Sequence, residues 1–211
     1  AEGNRYTVFS LWDTYRNLHQ LMTLVYPERQ LEMVRSMIGM YKEWGWLPKW
    51  ELYGRETFTM EGDPSIPVIV DTWMKGLRDF DMDAAYEAMR KSATTPGARN
   101  RMRPDIDPYI EKGYVPLGFY ARDLSGDNSV SHALEYYIAD HALSLLADSL
   151  GKKDDAALFR ARSLGYKNYY STESGTFRPI TREGKFLTPF DPRQGENFDP
   201  VPGFHEGSAW N

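Results

Sequence analysis

The residues best suited to chemistry stand at the end of the sequence, in Phe204-His205-Glu206-Gly207-Ser208-Ala209-Trp210-Asn211. A glutamate released by a glycine and flanked by His205 and Trp210 joins a proton donor to an aromatic surface on which a sugar ring can lie. Aromatic faces stack on the C–H faces of pyranoses as on other apolar surfaces. A carboxyl beside one is partly desolvated, which raises its pKa toward the acid form. Spacing alone is a weak signal, because a bare Glu-Gly-x-x-Trp is more often a helix-start glutamate favoured by the dipole beside a buried tryptophan.

Other chemistries find less support. His19, His132, His141 and His205 show no paired spacing for zinc. Asp79-Phe80-Asp81-Met82-Asp83 begins like a calcium loop. Ala84, however, stands where the turn glycine is needed and Arg90 where the bidentate glutamate belongs, so it reads as an acidic helix start. No glycine loop for phosphate occurs. With 25 Lys+Arg against 30 Asp+Glu and no basic run, a nucleic-acid surface has nothing to be built from. No stretch of about twenty apolar residues could span a membrane. The first residues, Ala1-Glu2-Gly3-Asn4-Arg5, have neither the apolar core nor the charge pattern of a signal peptide. The absence of cysteine excludes a disulfide framework and thiolate metal sites. Aromatic residues make up 14% of the chain, and many stand beside Gly, Pro or acidic residues, as in loops that line a concave site.

The elements that must position these residues read as helical hairpins. Leu11, Tyr15, Leu18, Met22 and Val25 fall on one helix face, and Pro27 ends that helix and starts the next. The second runs from Glu28 to Trp44, with Gly45 past its last turn. The segment 45–64 has no helical period and reads as a long ordered loop, of the kind that is usually functional. Asp63 as N-cap with Pro64 at the first position opens a third helix through Leu77. Asp81 caps a fourth, Ala84 to Ala93, stopped by Thr95-Pro96-Gly97.

The segment Ala98 to Asn128 reads as irregular. Ser129 to Leu150 gives the clearest helix, with Leu134, Tyr137, Ile138, His141, Leu145 and Leu146 on the expected buried side and His141 as a hydrogen-bonded core residue. A sixth helix spans Asp154 to Tyr169, capped by Asp154 or Asp155 and buried through Leu158, Ala161, Leu164 and Tyr169. A short hairpin is expected around Glu183-Gly184, and a seventh helix opens at Glu206. The hairpins share no fixed period, which favours a toroid with a pocket at one end over a binding solenoid.

Phe9-Ser10-Leu11-Trp12-Asp13-Thr14-Tyr15-Arg16, Trp46-Leu47-Pro48-Lys49-Trp50, Met60-Glu61-Gly62-Asp63-Pro64, Asp71, Lys75-Gly76, Gly113-Tyr114-Val115-Pro116, Ser129-Val130-Ser131, Leu134-Glu135-Tyr136 and Phe204-His205-Glu206-Gly207-Ser208-Ala209-Trp210 occur together in this order. In that combination the sequence resembles the catalytic domain of the bacterial alpha-mannosidases of glycoside hydrolase family 92. The resemblance implies an all-α fold, a partial (α/α)6 barrel of helical hairpins with long loops. It also implies calcium-dependent, exo-acting, inverting removal of alpha-mannose from a mannose-containing glycan, and a periplasmic or secreted location. Glu206 matches the family's general acid and Asp13 an aspartate that contacts the innermost sugar. Trp12, Trp50, Glu56, His205 and Trp210 are the further candidates for sugar contact.

The same resemblance makes residues 1–211 the N-terminal half of the barrel. The family's preceding β-sandwich and the later helices with the general base and most of the calcium shell are expected outside this sequence. An open barrel edge would leave Trp12, Trp73 and the Leu134 to Leu146 stripe facing water, and self-association through that edge is expected. Two other function classes fit a helical half-toroid: a carbohydrate-binding or assembly module without hydrolysis, and another α/α-toroid glycosidase such as one acting on glucosides.

Overall fold

A computed structural model describes residues 3–119, 128–194 and 202–205. The all-α expectation holds. The described residues form helices α1 (Leu11–Thr14), α2 (Leu18–Val25), α3 (Pro27–Trp44), α4 (Ser65–Met74), α5 (Met82–Thr94), α6 (Ile106–Lys112), α7 (Ser129–Ser149) and α8 (Lys153–Ser163), with a 3-10 turn at Leu164–Asn168. Two antiparallel ribbons accompany them, β1 (Glu51–Leu52) with β2 (Arg55–Glu56) and β3 (Tyr170–Ser171) with β4 (Thr176–Phe177).

Helix ends written in local chemistry fall where the sequence puts them. Pro27 starts α3, whose end is the left-handed Gly45. The Asp81 carboxylate accepts the Ala84 amide at 3.1 Å and caps α5.

Departures from the expected elements trace to tertiary contacts. The first helix is broken at residues 15–17, where Tyr15 and Arg16 turn to bind Glu135 on α7. Asp63 does not cap α4. Its carboxylate goes instead to Arg103 and Ser92. Neither Asp154 nor Asp155 caps α8. Both lie in its first turn, and Asp155 accepts from Tyr86 and Arg90. The segment expected to be irregular contains α6, a helix of two turns hidden by Asp107-Pro108. The Glu183-Gly184 hairpin reduces to a single bridge, Ile180 with Phe186.

Helix α7 ties the molecule together. Its second half joins a core built on α1, α3, α4, α5 and α8, through Ala139, Leu143, Leu146 and Ala147. Its first half joins a second, tyrosine-rich core through Val130, Ala133, Tyr136 and Tyr137, with Tyr109, Tyr169 and Phe204. Between the two lies a buried ionic line in which Arg103 binds both Asp63 and Asp140, while Tyr109 also donates to Asp140.

A helix packed on several sides has no single apolar stripe, so the buried face meets the expected one only in part, at Tyr137 and Leu146. Ile138 and Leu145 are 45% and 40% exposed. His141 is exposed, set against Arg160. On α8 Phe159 and Ser163 are buried while Leu158 faces water, and beyond it Leu164 is exposed and Tyr169 buried. Trp12 and Trp73 are half-buried. The exposed apolar edge is α2 instead, with Leu21, Leu24, Val25 and Tyr26 more than half exposed.

Candidate active site

The loop from β1 to α4 is fixed by two buried or half-buried glutamates. Glu51 accepts the Val8 and Gly54 amides, each at 2.6 Å. Glu56 accepts the amides of Lys49 and Phe58 at 2.6 Å and of Trp50 at 3.1 Å. The Glu56 bond holds Phe58 at φ 58°, and the Lys49 ammonium, donating to the Met60 carbonyl, holds Met60 at φ 67°, a left-handed backbone that costs a non-glycine residue about 1–3 kcal/mol. Gly62, at φ 75°, then brings the chain against α7, where a Cβ on it would stand 2.6 Å from Glu135 Cβ.

The result is a cavity of about 170 Å³ lined by Thr57, Phe58, Thr59, Met60 and Glu61 from the loop, and by Lys49, Pro104, Asn128, His132 and His205 around it. Against the roughly 300–1,000 Å³ of pockets for drug-sized ligands this is the size of one subsite. Glu61 Oε1 accepts His205 Nδ1 at 2.5 Å and Asn128 Nδ2 at 2.9 Å, and His132 Nε2 lies 3.7 Å away. Burial pushes the Glu61 carboxyl up. The His205 hydrogen bond and the charges of His132, His205 and Lys49 outweigh that push, so it sits below its ordinary 4.5 and stays ionised.

His132 is set from behind: Asp105 takes its Nδ1 at 2.8 Å and the Tyr136 hydroxyl at 2.6 Å. Burial raises the Asp105 carboxyl as well, and the charge and hydrogen bond of His132 with the Tyr136 hydroxyl bring it below its ordinary 3.8. An ionised carboxylate only accepts, so Nδ1 carries the proton on both histidines.

Pro202–His205 closes the cavity by docking on the start of α7. The Gly203 carbonyl accepts the Val130 and Ser131 amides, and Ser131 Oγ accepts the His205 amide at 2.9 Å. Phe204 is buried in the second core. The His205 ring stacks on Trp12, with centroids 5.9 Å apart and planes 18° from parallel. Arg16 lies 5.2 Å from the Trp12 ring centroid and pairs with Glu135 at 2.9 Å. Burial drives the Glu135 carboxyl above its ordinary 4.5, against the Tyr15 and Arg16 bonds and with the Glu61 charge adding to the rise. Trp12 Nε1, Glu61 Oε2 and Asn128 Oδ1 are buried without a hydrogen-bond partner among the described residues. Such atoms cost free energy unless a ligand or water satisfies them.

Of the residues singled out in the sequence, Trp12 and His205 are brought together. Asp13 is exposed on α1 beside Trp12. Trp50 is half-buried and does not line the cavity. Glu56 accepts backbone amides with both oxygens and borders a separate hollow with Trp44, Trp46 and Arg101. Glu206 and Trp210 lie outside the described residues. The carboxylate at the centre of the cavity, Glu61, was only one of several acidic residues at loop or helix ends. Its one local signal is the Glu61-Gly62-Asp63-Pro64 turn.

No three His, Cys, Asp or Glu side chains converge to hold a metal among the described residues. Calcium takes about six to eight oxygens. Glu61 receives the His205 imidazole and the Asn128 amide, both hydrogen-bond donors, with His132 beside them, so the described residues do not fit that ion.

The fold is shared with solved enzymes. An inverting family GH92 mannosidase from Bacteroides thetaiotaomicron VPI-5482 superposes with a TM-score of 0.88 at 32% identity, over 99% of this chain and 27% of that one. A GH92 alpha-mannosidase from Bacteroides thetaiotaomicron gives 0.84 at 35% identity, over 99% of this chain and 26% of its own. The same enzyme in complex with mannoimidazole gives 0.80 at 37% identity, over 91% of this chain and 24% of its own. Among curated proteins, an uncharacterized secreted glycosidase of Arthroderma benhamiae is 29% identical over 162 residues, 74% of this chain and 21% of the relative. The chain therefore spans about a quarter of the length of the solved structures and a fifth of the curated relative. These helical hairpins are a part of the family's α/α toroid. The whole sequence, residues 1–211, matches the glycosyl hydrolase family 92 catalytic domain, and the chain belongs to that family.

Proposed function

We propose that this chain supplies the acid side of a glycoside hydrolase that removes terminal alpha-mannose with inversion. The observation that carries this is the clustering of Glu61, His132 and His205 around one subsite-sized cavity, with Trp12 stacked on His205, the residue that immediately precedes Glu206. In an inverting cleavage one carboxylic acid protonates the departing glycosidic oxygen. A second carboxylate takes a proton from the water that attacks the opposite face of the anomeric carbon, and the two stand roughly 6.5–9.5 Å apart. Glu206 is the acid in this scheme. Trp12 and His205 offer a flat ring surface to the sugar, while Trp12 Nε1, Glu61 Oε2 and Asn128 Oδ1 are free to meet its hydroxyls.

The base and the calcium ligands are assigned to parts of the family outside the described residues, and calcium dependence is part of the same proposal. So is a secreted or periplasmic location. It is supported by the description of the curated relative as secreted, and no described helix is long and apolar enough to cross a membrane.

The test is hydrolysis of aryl alpha-mannosides and alpha-glucosides by the intact protein, with the first-formed anomer read by proton NMR. Release of beta-mannose from the alpha-mannoside is the expected result. Preference for the glucoside, or alpha-mannose as first product, overturns it.

A further inference from the structure

A second hollow, of about 260 Å³, shares the wall residue Phe58 with the cavity around Glu61 and is otherwise bordered by Trp44, Trp46, Arg55, Glu56 and Arg101. Three stretches of chain meet there. Helix α3 ends at Gly45, whose φ of 83° turns the backbone so that the tryptophans on either side of it border one space. Both are half-buried. Lys91 braces Trp46 from α5, its ammonium 4.7 Å from the ring centroid and donating to the Gly45 carbonyl at 2.8 Å. Strand β2 brings Arg55 and Glu56, and the segment between α5 and α6 lays the Arg101 guanidinium 3.9 Å from the Phe58 ring centroid.

The charges in this hollow are unbalanced. Glu56 spends both oxygens on the amides of Lys49, Trp50 and Phe58. Arg55 and Arg101 are exposed, and among the described residues neither guanidinium has a hydrogen bond or a carboxylate partner. Other exposed arginines do: Arg5 pairs with Glu43, Arg35 with Asp79 and Arg90 with Asp155. Folding gives no reason to gather two half-buried indoles beside two unpaired cations. A ligand gives one, because aromatic faces take the C–H face of a sugar ring and the guanidinium fork takes a carboxylate through two N–H bonds. Two cations against one glutamate leave a single positive charge to be met. A doubly charged group would set its second charge against Glu56 with nothing to match it.

We propose that this hollow binds an acidic sugar, a pyranose with one carboxylate, its ring against Trp44 and Trp46 and its carboxylate on Arg55 and Arg101. Neither arginine lines the cavity of Glu61, so the site goes beyond the cleavage of mannosides and does not depend on which residue is the acid.

The experiment is calorimetric titration of the intact protein at pH 7.5 with three probes. They are the methyl glycoside of a glucuronic acid–mannose disaccharide, the methyl ester of that acid, and methyl mannoside 6-phosphate. The acid is expected to bind at least about tenfold more tightly than its ester, which has the same rings and no charge. Arg55→Gln and Arg101→Gln are each expected to weaken the acid by about three- to tenfold, the range from a solvent-screened to a well-formed charged bond. Added salt should weaken it as well. Trp46→Leu is expected to weaken the acid without abolishing its advantage over the ester. Arg101 touches Phe58, so should its replacement disturb the loop, Arg55 carries the comparison.

Equal affinity for acid and ester, no binding of the acid at millimolar concentration, or acid binding that Arg55→Gln and Arg101→Gln leave unchanged overturns the site. Acid affinity unchanged in a folded Trp46→Leu overturns the place given to the ring. Tighter binding of the phosphate, weakened by the same arginine variants, overturns the single carboxylate.

Discussion

The Gly203 carbonyl caps helix α7 by accepting the Val130 amide at 2.9 Å, and the Ser131 amide joins it at 3.1 Å. The first amides of a helix have no partner inside it, and here a distant backbone carbonyl supplies what a side chain usually does. Gly203 has φ 86°, and a Cβ on it would lie 3.0 Å from both Pro179 and Val130. Gly203→Ala should therefore cost about 1–3 kcal/mol, or roughly 2–4 °C in Tm for each kcal/mol, read by thermal unfolding. A Tm equal to the parent's would show that the segment shifts to make room for a Cβ and still docks.

The buried ionic line sets a second expectation. Arg103 reaches Asp63 at 3.0 and 3.1 Å and Asp140 at 2.8 Å, with its own side chain fully buried. Arg103→Leu leaves buried Asp63 without its cation and Asp140 with Arg162 alone, which should cost about 3–5 kcal/mol in denaturant unfolding. A smaller loss would mean that Asp63, whose carboxyl burial already pushes up, takes a proton in place of the cation.

Acid sensitivity follows from the carboxylates around the cavity. Glu61 and Asp105 are held below their ordinary 4.5 and 3.8 in the folded chain. Their stabilisation is therefore fully present above those ordinary values and is lost as pH falls through the lower, folded ones. Glu135, held above 4.5, acts with the opposite sign, its contribution declining as pH rises past that value. Urea midpoints measured against pH should fall on the acid side less steeply for Glu61→Gln than for the parent. Parallel acid limbs would remove Glu61 from the titration.

Glu56 should matter locally. Glu56→Gln weakens the bonds to the amides of Lys49, Trp50 and Phe58, and bonds to a charged group contribute about 1.5–3 kcal/mol. Hydrogen exchange at those amides should speed up while the global unfolding temperature moves little. A global shift with unchanged local exchange would contradict a loop-holding role.

The exposed face of α2 predicts association. Leu21, Leu24, Val25 and Tyr26 are 53%, 75%, 51% and 58% exposed, and a contiguous apolar patch of this kind marks a contact surface. The 211-residue chain should self-associate, and Leu21→Glu with Leu24→Glu should return it to a monomer in light scattering. A parent that is already monomeric would retire the expectation.

The legible parts of the fold were those decided within a turn or two of chain. Pro27, Gly45 and Asp81 end or begin helices through bonds to their own neighbours, and the sequence placed them well. Asp63 shows the limit. Asp-Pro is a sound helix start by local rules, but Arg103, far along the chain, competes for the carboxylate and wins it. The face of α7 was legible only at Tyr137 and Leu146 for a related reason, since a helix serving two cores and an ion pair also presents small and polar residues inward. In the site, Trp12 and His205 were legible as aromatic neighbours of acidic residues. The centrality of Glu61 was not, because it depends on a partner 144 positions away.

That separation in sequence orders events during synthesis. At about 5–20 residues per second, roughly 7–30 s pass between the addition of Glu61 and the addition of His205, 144 positions later. During that interval the loop of Glu61 and helix α7 can meet, and Asn128 and His132 are the first polar groups available to shield the carboxylate. Completion of the cavity waits for Pro202–His205, so a nascent chain arrested before Pro202 would have its first core but neither Phe204 in the second nor a closed pocket.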